Sequence, residues 1–80
     1  MRIAIVAIFI HNKESATSVN DLLHEYTDMI VGRMGLPKVE ESINIITLVV
    51  KGEQERISAM SGKLGRLKEV VCSVTYAKNR

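Results

Sequence analysis

Residues 3–10, IAIVAIFI, are apolar at every position. A strand with one wet face alternates apolar and polar residues, whereas a strand covered on both faces reads as a continuous apolar run. The segment has strand length, and its Ile and Val content suits a pleated surface. A second run, INIITLVV at 43–50, is interrupted only by Asn44 and Thr47. Both read as strands at the centre of a sheet.

The intervening chain supplies the other elements. After the first run, Asn12 or Ser15 can cap a helix, with Glu14 favourable in its first turn. Val19, Leu22, Leu23 and Tyr26 then fall on one helical face, which predicts a helix over 14–28. Met29 to Met34 reads as a short strand, with Gly32 marking a bulge or a close backbone approach. Gly35 and Pro37 are expected to end it, and the charged KVEES at 38–42 to form a turn. Gly52 is expected to break the second apolar strand. EQERISAMSGKLGRL, 53–67, is a second amphipathic helix with a stripe of Ile57, Met60, Leu64 and Leu67. Val70 to Tyr76 reads as the last strand.

The order is strand, helix, strand, strand, helix, strand. It predicts a single α+β domain over 1–80, ferredoxin-like βαββαβ, with a four-stranded antiparallel sheet and two helices on one face. Right-handed crossovers place the first and third strands in the centre. Two helices on one face leave the other face of these apolar strands open to water. A homo-oligomer that buries this face or its edges is therefore expected.

Size and composition agree with that expectation. A chain of 80 residues is one domain and buries only about 60% of its unfolded surface. Cys72 is the single cysteine, so an intrachain disulfide cannot supplement the core, and a reducing cytoplasm is implied. The opening MRIAIVAIFIHNK has too short an apolar run to span a membrane and lacks a small-residue cleavage site. Eleven Lys and Arg against nine Asp and Glu give a formal charge of +2, too little to argue for nucleic acid. Phe9, Tyr26 and Tyr76 are the only aromatics, too few for a base-stacking platform. Disorder is expected only in the last residues, KNR.

Ser61-Gly62-Lys63 resembles the end of a phosphate-binding loop. The pattern requires glycine five positions before Gly62, where Ile57 stands, and Ser or Thr after the lysine, where Leu64 stands. It also requires a strand before the loop, whereas here the motif lies inside a helical stripe. Gly62 and Gly65 then ask for another backbone close by, a helix end near 65, or a ligand, because mid-helix glycine costs about 0.5–1 kcal/mol. His11, His24 and Cys72 lack the spacing of a metal site. Cys72 reads as a core residue, and His24 as the polar flank of its helix. His11, at a strand-to-helix turn, is a candidate to touch a ligand. Glu40 and Glu41 read as a solvated turn, and Met29, Met34 and Met60 as packing. No nucleophile or acid–base pair is legible, so no enzymatic activity and no cofactor are expected. Arg33, flanked by Gly32 and Met34, can hold an anion through its guanidinium fork. The alternative is an edge-strand charge that blocks aggregation.

Two segments carry a family resemblance. GRMGLP at 32–37 and SGKLGRLKEVVCSV at 61–74 resemble the signature segments of the iron-only hydrogenase system regulators. These are small stand-alone ACT-like domains, similar in fold to the ligand-binding half of nickel-responsive repressors. The resemblance covers essentially the whole chain, with INIITLVV in the third-strand position. It implies an oligomeric regulatory protein that binds a small effector, with His11, Asn12 and Lys13 in the effector zone. Two departures limit the transfer. Ile30 to Met34 contains no histidine, against nickel sensing, and no residues are left over for a DNA-binding element. Regulation would then pass through another protein. An adaptor without a small ligand, binding a hydrogenase-assembly partner, is the alternative.

Overall fold

A computed structural model of the chain describes residues 1–40 and 43–78. Glu41 and Ser42 of the expected turn, and Asn79 and Arg80 of the terminal KNR, lie outside the described residues. The elements are β1 (Arg2–Ile10), α1 (Ser15–His24), a 3-10 turn (Thr27–Met29), β2 (Ile30–Glu40), β3 (Ile43–Gly52), α2 (Gln54–Gly65) and β4 (Val70–Tyr76). The four strands form one antiparallel sheet in the order β2-β3-β1-β4. This is the ferredoxin-like α+β fold, with the two apolar runs paired at its centre.

The pleat sorts those runs by parity. Val6, Ile8 and Ile10 of β1 and Ile46, Leu48 and Val50 of β3 are buried. They meet Val19 and Leu23 of α1 and Ile57, Met60 and Leu64 of α2 in one core. The odd-numbered residues point to the opposite face, where no helix lies.

Three boundaries differ from those read in the sequence. First, α1 stops at His24 rather than 28. The Glu25 and Tyr26 N–H groups bond to Leu22 and Leu23, three residues back, and the Thr27 hydroxyl donates to the His24 carbonyl at 2.7 Å. That tightening ends the α-helix while keeping Tyr26 and Met29 in the core.

Second, β2 does not stop at Gly35 and Pro37 but runs on to Glu40. It is an edge strand, so the missing N–H of Pro37 can face solvent without costing a ladder bond. One register shift falls between Ile30 and Gly32 and another between Leu36 and Glu40. At the second, Lys38 adopts a positive φ of 54°, and its N–H donates to Asn44 Oδ1 at 2.8 Å. Asn44, the polar break in the second apolar run, satisfies this backbone donor.

Third, β3 runs past Val50 to Gly52, where the sequence places its break, and Gly52, its last residue, is paired with Arg2. A Cβ there would lie 2.7 Å from Met29 Sδ and 3.1 Å from Met29 Cγ. A Cβ there would push the buried Met29 side chain aside, a packing reason for glycine that the local sequence does not contain.

Candidate functional site

The open face of the sheet carries apolar side chains that no described helix covers. The strand register lays its residues in rows. Leu36, Ile45, Phe9 and Val71 form one row across all four strands, and every member is apolar. Met34, Thr47, Ala7 and Ser73 form the next, followed by Gly32, Val49, Ile5 and Thr75. Ile5 is 51% exposed and Met34 57%, high values for such side chains on a sheet. A cavity of about 260 Å³ opens on this face between Ile3, Ile5, Val49 and Tyr76.

Within the chain no neighbouring backbone approaches Gly32, Gly62 or Gly65, while two of the alternatives read in the sequence are met: Gly32 stands at a register shift of β2, and α2 ends at Gly65. A Cβ at Gly32 or Gly65 would meet nothing within 4 Å, and one at Gly62 would meet only the Arg66 guanidinium at an ordinary 3.7 Å. The reason is position. Gly32 belongs to a row on the open face, and the buried stripe of α2 is Ile57, Met60 and Leu64. Gly65 is the last residue of α2, so the helix does end there.

The expected effector residues fall in two places. His11, Asn12 and Lys13 form the β1–α1 turn, beside the start of β4. The turn is braced by Glu69, which holds a positive φ of 55°. Its carbonyl accepts from His11 N–H at 2.9 Å, and its carboxylate accepts from Asn12 Nδ2 at 3.3 Å. Asn12 Oδ1 accepts from Glu14 N–H at 2.9 Å, an Asx turn that leads into α1, whose own N-cap Glu14 makes no side-chain cap bond. Ser15 does not cap: its hydroxyl is buried and donates to the Lys68 carbonyl at 2.7 Å.

Arg33 lies across the sheet from that turn. It pairs with Leu48 on β3, on the helix-covered side but beyond the helix edge. It borders a cleft of about 190 Å³ between the start of α1 and the β2–β3 ribbon. Ile10, Ile46 and Pro37 supply apolar wall, and Asn20 and Asn44 supply amides. Gly35 and Ala16 contribute almost no side-chain volume, and a Cβ at Gly35 would stand in open space. Arg33 Nη2 donates to Asn20 Oδ1, while Asn20 Nδ2 donates to the Ala16 carbonyl at 3.0 Å. Helix α1 thereby fixes the amide that positions the guanidinium. Asn20, Gly35 and Asn44 do not stand out as site residues in the sequence, since only the packing of α1 over the ribbon brings them together.

Other polar groups serve the fold. Arg56 donates to both carboxylate oxygens of Asp28, the longer bond being 3.1 Å, and this holds the Asp28 carboxyl below its usual pKa. Lys63 and Arg56 both stand 5.4 Å from the Tyr26 ring centroid. The neighbouring Tyr26 phenol raises the Lys63 pKa. The Cys72 thiol is 3.6 Å from the Ser61 hydroxyl, and burial pushes its pKa up, away from reactive thiolate. Among the described residues no three His, Cys, Asp or Glu side chains gather as metal ligands. No described helix is long and apolar enough to cross a membrane.

A βαββαβ sheet with this register, carrying GRMGLP on its edge strand and SGKLG at the end of α2, can be set beside known proteins. The family model described as "TM1266-like: Iron-only hydrogenase system regulator, putative" matches residues 2–74. The chain belongs to that family. A solved structure described as that of the uncharacterized protein TM1266 from Thermotoga maritima superposes with a TM-score of 0.89 at 38% identity, covering 96% of this chain and 98% of that one. A curated relative from Saccharolobus solfataricus, named "Putative nickel-responsive regulator", is 28% identical over 67 residues. The match takes in 84% of this chain and 50% of the relative, so the chain spans about half that protein's length.

Proposed function

We propose that the chain is a regulatory module of the iron-only hydrogenase system that works as a homo-oligomer and binds a small effector. The observation that carries this reading is the open sheet face. Its Leu36–Ile45–Phe9–Val71 row is apolar across four strands, a surface that pairs with another protein surface more readily than with water. A second copy is the simplest partner, since an isologous contact needs one apolar face only. Gly32 then sits inside the contact, where a bare backbone lets the partner approach.

The effector reading rests on family membership and on Arg33 bordering a cleft, with His11, Asn12 and Lys13 forming a second, exposed zone. A ligand regulates such an assembly only by differential contact with two packings of its subunits. Both described helices are committed to the core, so regulation of transcription by these residues would pass through another protein in the cytoplasm.

A thermal-shift screen with organic acids, amino acids, nucleotides and divalent metals tests the effector reading. Stabilisation that grows with concentration is expected for at least one class, since a ligand present at 100 times its Kd adds about 2.7 kcal/mol. A flat response to every class, with a protein partner copurifying on the open face, would support the adaptor reading instead.

A further inference from the structure

We infer that the Arg33 cleft is a binding site for a small monocarboxylate with a short apolar tail. The inference deepens the effector reading and rests on it. The polar groups of the cleft are donors. Arg33 offers the rest of its guanidinium fork, because only Nη2 is engaged, by Asn20. Asn44 has its carbonyl oxygen taken by Lys38 N–H, which leaves its NH2 group to donate. Asn20 has both ends engaged and serves to position Arg33. Among the described residues no Asp or Glu lines the cleft and none pairs with Arg33. A site of donors around one cation selects an anion, and a planar guanidinium matches a carboxylate through two parallel bonds.

The remaining walls set the rest of the ligand. Ile10, Ile46 and Pro37 offer apolar contact, and a fully charged or polyhydroxylated molecule would leave that wall unused. A volume of about 190 Å³ falls below the roughly 300–1,000 Å³ of drug-sized pockets, so a nucleotide is too large. The space exists because Gly35 and Ala16 line it. A side chain of ordinary size at position 35 would fill it, because a Cβ there would project into open space.

The test titrates C2 to C6 monocarboxylates, isovalerate among them, and their matched amides into the 15N-labelled chain, following the side-chain signals of Arg33, Asn20 and Asn44. The expected result is saturable shifts at those three residues, with the best acid binding at least tenfold more tightly than its amide. Arg33→Gln should lower the acid to the level of the amide, and Arg33→Lys should recover part of the difference. Gly35→Leu, which keeps the charge but fills the space, should abolish binding of both. Thermal melts of each variant establish that it is folded. Equal binding of acid and amide, or shifts that persist in Arg33→Gln, would overturn the proposal. Should the acids fail while another class in the screen stabilises the chain, this proposal falls and the effector reading stands. Should nothing bind, both fall.

Discussion

The two faces of the sheet are cut from the same strands and are nearly equally apolar, yet they have different fates. Even-numbered Val6, Ile8, Leu48 and Val50 are wholly buried beneath the helices, while Ile3 and Ile5, their neighbours in sequence, are about half exposed. The first face makes the fold, because its side chains meet those of α1 and α2 in a single cluster. The second adds nothing to that cluster. Apolar residues that one copy cannot bury are the ground for proposing that this surface is completed between molecules.

The largest expected effect comes from breaking the covered face. Leu48→Ala should cost about 2–5 kcal/mol in denaturant unfolding, the range for truncating a fully buried leucine. Val49→Ala, one residue along and on the open face, should change the same measurement by no more than about 0.5 kcal/mol at concentrations low enough to dissociate the proposed assembly. Similar losses at both positions would erase the distinction between the faces.

The glycines extend the comparison. Gly52→Ala should destabilise by about 1–3 kcal/mol, because the new methyl enters the space of Met29. Gly62→Ala should instead stabilise by about 0.5–1 kcal/mol in thermal melts, since its Cβ meets only an ordinary contact inside a helix. A loss at Gly62 accompanied by dissociation would place α2, too, in a subunit contact.

These contrasts also show where the sequence is legible. The continuous runs 3–10 and 43–50 announce two central strands because strands apolar on both faces show no polar alternation, even though only one of those faces is covered within the chain. The stripe Ile57, Met60, Leu64 identifies α2 in the same way. The extent of β2 is hidden, because Pro37 ends an interior strand but not an edge strand, and edge position is a property of the finished sheet. The packing reason for Gly52 is hidden in a similar way: its neighbour Met29 is 23 residues away in the chain. The Arg33 cleft is half visible. The arginine stands out between Gly32 and Met34, while its companions Asn20 and Asn44 come from two other elements. The alternation of Arg33 and Gly35 on one strand face is the one local signal that a charge borders a space.

The smallest effect concerns pH. The hydrogen bond and charge of Arg56 lower the Asp28 pKa, so this carboxylate favours the native state above the ordinary value of about 3.9. That contribution is lost as pH falls through the lowered native value. Asp28→Asn should therefore be slightly less stable than the parent at neutral pH, with the two melting curves converging below about pH 4. The gap should be small and shrink in salt, because the pair is exposed.

Sedimentation equilibrium of the chain and of Phe9→Asp tests the central claim most directly. Phe9 lies in the fully apolar row, away from the buried cluster. The parent should sediment at micromolar concentration as a multiple of its 8.9 kDa mass, and the folded variant as a single chain. A parent that sediments at 8.9 kDa under those conditions would contradict the account.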